Sequence, residues 1–194
     1  MSQDSARFAA RYWLVQLLGA VIALIAGVVV TFSPDHSPSF GLSVFAGYAL
    51  VSGGVIAGTA FRAERSRFAT AVTVAQGLIG VGTGLAALLI LVLGASSIVT
   101  LVAVLVVWAL PNAAADLTLG LRRSEASPAS RDHVVIGVAA GLLAVVALLG
   151  LTDSVLVVGA FGAFAAIVGV YLAIAAFTLR WDSAPESTRK VVGS

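Results

Sequence analysis

One carboxylate falls inside a long apolar run of this 194-residue chain: Asp116, in the run covering residues 98–121. By the limits of the apolar runs it is the one ionisable residue within them. A carboxylate in lipid is costly, and such a residue marks an ion or proton site by default. Trp108, Asn112 and Asp116 recur every four residues and share a helix face. Pro111 lies just before Asn112; it lacks an N–H and displaces the Val107 carbonyl from its usual partner, which predicts a helix kink. Two readings follow. Asp116 is a proton or ion site beside a kinked helix, or it is a buried carboxylate held by an arginine. The candidate arginines are Arg123, seven residues on and on the same face, and those of the neighbouring loop, whose long side chains can snorkel to it. Gln16 and Gln76 lie at a similar depth in their own runs. A polar cluster of Asp116, Asn112, Gln16 and Gln76 is therefore expected in one third of a helix bundle. Hydrogen bonds between membrane helices average ~0.6 kcal/mol, which suits packing as well as ligand binding.

Other chemistry is sparse. Asp35, His36 and Asp153 are the titratable side chains of the connections at one end, and their charge falls from negative towards positive in acid. They form either an acid-responsive surface or ordinary connectors, since Ser33-Pro34-Asp35 and Thr152-Asp153-Ser154 are good turn and cap sequences. His36 and His133 fall at opposite ends and cannot share a metal. The chain has no cysteine, so disulfides, thiol catalysis and thiolate metal sites are excluded. No Ser/His/Asp set or metal-ligand spacing converges on one side. The Gly80-Val81-Gly82-Thr83-Gly84 segment follows no strand, so it is not a dinucleotide loop. The residues point to no enzyme and no cofactor.

The elements that must position these groups are membrane spans. The chain is 60% hydrophobic and 10% charged, with mean hydropathy +1.08; a soluble domain carries about 25% charge. Apolar runs cover residues 12–31, 40–61, 70–93, 98–121, 134–150 and 154–179, and about 20 residues cross a bilayer. All eleven basic residues lie at alternate connections or in the tails: Arg7 and Arg11; Arg62, Arg65 and Arg67; Arg122, Arg123 and Arg131; Arg180, Arg189 and Lys190. The connections around 32–39, 94–97 and 151–153 carry none. That asymmetry predicts an all-α, six-span membrane protein with both termini in the cytoplasm. The first run is long for a signal peptide and lacks a small-x-small cleavage pattern, so it is expected to be an uncleaved span. The basic residues orient helices and meet anionic headgroups; they do not mark a nucleic-acid site.

A shift of 60 residues superposes Arg7-Phe8-Ala9 on Arg67-Phe68-Ala69, Gln16 on Gln76, Tyr48 on Trp108 and Arg62 on Arg122. Gly137 lies 60 beyond Gly77, and the Tyr48…Gly53 spacing reappears in Phe164…Gly169. The chain thus reads as one membrane domain, residues 1–194, of three parallel helical hairpins: 12–61, 70–121 and 134–179. Residues 1–11 and 182–194 are read as short cytoplasmic tails. Small residues four apart (Gly19/Ala23/Gly27, Gly54/Gly58, Gly80/Gly84, Gly137/Gly141) let backbones approach, within the bundle or across a homo-oligomer seam.

These features together resemble the HdeD-type acid-resistance membrane proteins, small six-span bacterial proteins with short internal repeats. The carrying residues are Arg11-Tyr12-Trp13, Pro34, the Gly47-Tyr48-Ala49-Leu50-Val51-Ser52-Gly53 segment, and helix ends at Arg62, Arg122 and Arg180. The resemblance spans about residues 11–181. It implies a bacterial inner-membrane location and a role in acid or envelope stress, with no substrate. The expected function is that of a non-enzymatic membrane protein; the alternative is a small transporter or channel using Asp116. A water-accessible cavity reaching Asp116 would favour the transporter, and a closely packed bundle with Asp116 held by an arginine would favour the first.

Overall fold

The backbone of residues 3–63, 66–122 and 128–182 is described by a computed structural model, with side chains described for 13–61, 66–122 and 130–181. Six α-helices follow one another: α1 Gln3–Phe32, α2 Pro38–Ala63, α3 Arg67–Val92, α4 Ile98–Arg122, α5 Pro128–Leu149 and α6 Ser154–Asp182. All six contain stretches long and apolar enough to cross a membrane, and the described residues hold no strand.

Local chemistry sets the helix ends. Ser37 precedes Pro38, and its hydroxyl accepts from the Phe40 N–H at 3.3 Å, a cap followed by proline at the first helical position. Ser66 caps α3 through the Ala69 N–H at 3.0 Å. Ser97 and Thr100 cap α4 reciprocally, at 3.2 and 2.9 Å. Asp153 caps α6 by accepting from the Leu156 N–H at 3.1 Å. Helix α3 ends where Gly94 takes φ +65°. The Ala95 N–H then reaches the Ile90 carbonyl and the Gly94 N–H the Leu91 carbonyl, which satisfies two carbonyls left over by the last turn. Two sequence boundaries change. Helix α1 begins at Gln3, so most of the expected N-terminal tail is helical. Helix α5 begins at Pro128, six residues before the expected start of its span at Val134.

The helices form a ring in chain order, closed by α6 against α1. The most extensive contacts are α2 on α3, α1 on α6 and α4 on α5. Glycine makes the close approach of α2 and α3 feasible: a Cβ on Gly77 would lie 2.6 Å from the Ala57 nitrogen and 2.7 Å from the Gly53 carbonyl oxygen. The small faces of α1, α3 and α5 are likewise used inside the bundle, where Gly27 lies against the Ala166 backbone, Gly84 against Leu50 and Gly137 against Ala113. On α2 the seam runs through Gly53. Gly54 and Gly58 have open space where a Cβ would stand, because one residue rotates the position by 100° around the helix.

Helices α2, α4 and α6 also meet inside the ring through aromatic side chains. Trp108 packs edge-on against Phe45, Tyr48 and Phe164, with centroids 5.7–5.8 Å apart. Phe161 packs edge-on against Phe45 and Tyr48 at 5.7 and 5.5 Å. Such pairs add ~0.5–1.5 kcal/mol each beyond the area they bury. Tyr48, Trp108 and Phe164, matched by the internal sequence comparison, thus fall in one cluster. Buried Leu42, Leu101, Leu105, Val157 and Val158 fill the bundle between this layer and the Arg-free turns. The outward surface is aliphatic, with Ile25, Leu85, Leu89, Val107, Leu142 and Ile174 all exposed.

Candidate functional site

On the arginine side of the aromatic layer the core turns polar. Helix α4 passes through Pro111 without interruption. The Asn112 amide donates to the Trp108 carbonyl at 2.7 Å, one turn back. Asn112 and Asp116 are both buried, each 7% exposed, as their four-residue spacing with Trp108 requires. Gln76 of α3 reaches the Asn112 carbonyl at 3.5 Å.

Asp116 is held by histidine: Nδ1 of His133 stands 2.8 Å from its Oδ1. Asp116 is therefore not alone within the spans, which corrects the sequence reading, and its partner among the described residues is His133. Arg123 lies outside the described residues. The cause is the early start of α5, which carries Asp132 and His133 about one turn into the helix. Gly137 completes the arrangement. A Cβ there would lie 3.1 Å from the Asp116 Cβ and 3.1 Å from the Ala113 carbonyl oxygen. Its absence lets α5 lie close enough to α4 for His133, four residues earlier and on the same face, to reach the carboxylate. Ser130 adds a tie from α5 to the Gly120 carbonyl of α4 at 2.9 Å.

Asp132 is a second buried carboxylate, 8% exposed. Its Oδ1 accepts from the Tyr171 hydroxyl of α6 at 2.8 Å. Its Oδ2 accepts from the Gln16 amide of α1 at 3.2 Å. Asp132 therefore bridges the α4/α5 pair to the α1/α6 pair. Sequence reasoning assigned no role to Asp132, His133, Tyr171 or the Tyr48 hydroxyl.

These residues surround a cavity of about 190 Å³. Gln16, Gln76, Asn112, Asp116, Asp132 and His133 line it, with Tyr48, Trp108 and Phe164 and with aliphatic side chains of α1, α2, α5 and α6. The four members of the expected polar cluster thus line one space. No group of three His, Cys, Asp or Glu among the described residues could hold a metal ion. A carboxylate and an imidazole in hydrogen-bond contact can together hold and release a proton.

Asp35, His36 and Asp153 stand at the other end of the bundle. Asp35 accepts from the Ser37 backbone N–H at 2.8 Å, closing a turn. That bond, with help from the Ser37 hydroxyl and the neighbouring His36, holds the Asp35 carboxyl below the usual carboxylate range. Asp153 is the α6 cap already described. Both carboxylates therefore do turn and cap work.

The fold is all-helical, with six helices long and apolar enough to span a membrane, and its buried polar groups converge on one cavity. No protein-family model matches the chain, and neither does any curated protein or solved structure.

Proposed function

We propose that this chain is a small, non-enzymatic transporter of the bacterial inner membrane, with its termini in the cytoplasm and a proton or ion site at Asp116 and His133. The observation that carries the reading is the cavity: it reaches Asp116 from within a bundle that otherwise packs closely. A purely structural carboxylate needs a partner and no space beside it. The aromatic layer and the aliphatic packing beyond it separate the cavity from the Arg-free turns, and in this reading the cavity serves as a half-channel reached from the cytoplasmic side of the proposed topology. The arginines at that end meet anionic headgroups. The open Gly54/Gly58 face of α2 is available to a second copy or to lipid. The resemblance to HdeD-type proteins supplies the setting, survival of acid or envelope stress.

The test is flux. Purified protein in liposomes, given a pH gradient and an internal pH dye, should dissipate the gradient faster than empty liposomes. Asp116→Asn, incorporated to the same level, should abolish the difference. Absence of flux in either direction, together with no labelling of Asp116 by a membrane-permeant carbodiimide, would remove the transporter reading.

A further inference from the structure

The cavity has a chemical preference that can be read from the unused hydrogen-bonding capacity of its walls. The Asn112 side chain must present its NH2 to the Trp108 carbonyl, since only a donor serves there. Its Oδ1 is then the free end. By the same argument the Gln76 NH2 faces the Asn112 carbonyl, which leaves its Oε1 free. Asp116 engages His133 through Oδ1 and keeps Oδ2. These three side chains are more than nine-tenths buried, at 7%, 6% and 7% exposure for Asn112, Gln76 and Asp116. Among the described residues, no side-chain nitrogen or oxygen wholly cut off from solvent lacks a partner. The three free oxygens therefore border the cavity that their residues line. The Tyr48 hydroxyl, on the same cavity, also has no hydrogen-bond partner among the described residues.

Charge points the same way. The described lining contains Asp116, Asp132 and His133 and no Lys or Arg. Both oxygens of Asp132 are already occupied, by Tyr171 and Gln16, so Asp116 is the carboxylate with an oxygen to spare. An occupant that brings N–H donors and positive charge to this side of the space would meet the free oxygens of Asp116, Asn112 and Gln76. Most of the remaining wall is hydrocarbon, with Ile22, Val55, Ile56, Ile136 and Val168 over a floor that includes Trp108 and Phe164; Ser52 and Thr59 also line it, their hydroxyls donating to the Tyr48 and Val55 carbonyls of their own helix, and Thr73 adds a further hydroxyl. An inorganic cation would leave that surface uncovered. A cavity of ~150 Å³ accommodates benzene, so about 190 Å³ has room for an aryl or short alkyl group as well as an ammonium.

We propose that the cavity binds a small protonated amine, its ammonium on Asp116, Asn112 and Gln76 and its hydrocarbon part against the aliphatic and aromatic wall. The proposal rests on the reading of this cavity as the working site and names the class of molecule it takes.

The probe is 2-phenylethylammonium, titrated calorimetrically into the full chain in detergent micelles. 2-Phenylethanol and 3-phenylpropionate serve as neutral and anionic analogues, and empty micelles correct for partitioning. Saturable one-to-one binding of the ammonium alone is expected. Asp116→Asn should weaken it about tenfold or more, the effect of losing a hydrogen bond to a charged group. Gln76→Met keeps shape and removes one acceptor; it should weaken binding about threefold and gives a second reading should Asp116→Asn fail to fold. Equal binding of 2-phenylethanol, unchanged binding by both variants, or displacement by millimolar sodium or potassium would overturn the proposal. Proton flux without amine binding sinks this inference and leaves the transporter reading standing. Amine binding without flux does the reverse.

Discussion

Removing His133 should cost this protein more than neutralising Asp116, and the two changes should not add. In Asp116→Asn the amide oxygen still accepts from Nδ1–H of His133, so the hydrogen bond survives without its charge. A hydrogen bond to a charged group contributes ~1.5–3 kcal/mol and a neutral one ~0.5–1.5, so the expected loss is about 1–1.5 kcal/mol. In His133→Leu the carboxylate stays, 7% exposed, with no partner at 2.8 Å. Leaving a buried charge uncompensated costs ~3–5 kcal/mol. The cavity beside Asp116 has room for solvent to relieve part of that, which puts the expectation at ~3 kcal/mol. With both changes the charge is gone, and the loss should return to about 1–2 kcal/mol. The coupling energy of the cycle is then ~2–3 kcal/mol, within the range for residues in direct contact. The assay is reversible unfolding in mixed micelles with increasing dodecyl sulfate, followed by far-ultraviolet circular dichroism. An ordinary polar contact between membrane helices contributes ~0.6 kcal/mol. A coupling energy at or below that figure, or a His133→Leu variant no less stable than Asp116→Asn, would refute the pairing as argued.

Three further outcomes follow from the geometry. Gly77→Val should lower stability in the same assay by ~1–3 kcal/mol or more, because backbone atoms of α2 occupy the space of its Cβ; Gly54→Leu should stay within about 0.5 kcal/mol, and a larger change would mean that the face is covered. Asp35 should titrate below an ordinary aspartate: its stabilising contribution is present above the usual carboxylate pKa and is lost as pH falls through the lowered folded value. Carboxyl NMR should show Ser37→Ala raising that midpoint only part way, since the Ser37 backbone N–H remains, and a midpoint at the peptide value would contradict the turn. Cysteines placed at His36, Ser96 and Thr152 should be labelled from outside the cell, and those at Ser2, Ser127 and Ser194 from inside; external labelling at Ser127 would overturn the topology.

Hydropathy and charge asymmetry are averages over many residues, which is why the six helices were legible in the sequence. Asn112 and Asp116 were legible as a shared face because four residues make about one turn. Gln16 and Gln76 could be set at the same depth because the 60-residue register aligned them. The partner of Asp116 was not legible, for a specific reason. A hydropathy boundary at Val134 assigns Asp132 and His133 to a loop, whereas the backbone is helical from Pro128. Ser127-Pro128 carried the signal, a capping residue followed by proline at the first helical position. Arg123 looked the better partner because it stands seven residues after Asp116, two turns on along a continuing helix. The pairing with His133 depends instead on how closely α5 approaches α4, and Gly137 shows its part in that only once the two helices are packed. The same holds for Gly53 and Gly54: sequence spacing gave no means of choosing between adjacent glycines, and the facing backbone of α3 makes the choice.

The ring is closed by the first helix lying on the last, and this has a consequence for how the protein is made. Helices α2 and α3 are neighbours in the chain, as are α4 and α5, so each can find its partner soon after entering the membrane. Helix α1 cannot: its main partner is α6, and every other helix must be synthesised first. At about 5–20 residues per second, α1 waits in the bilayer for on the order of ten seconds. During that time Gly27 has no Ala166 backbone against it. A nascent chain stalled before α6 would expose that glycine face to lipid, a ready signal for membrane chaperones and proteases that the arrival of α6 withdraws.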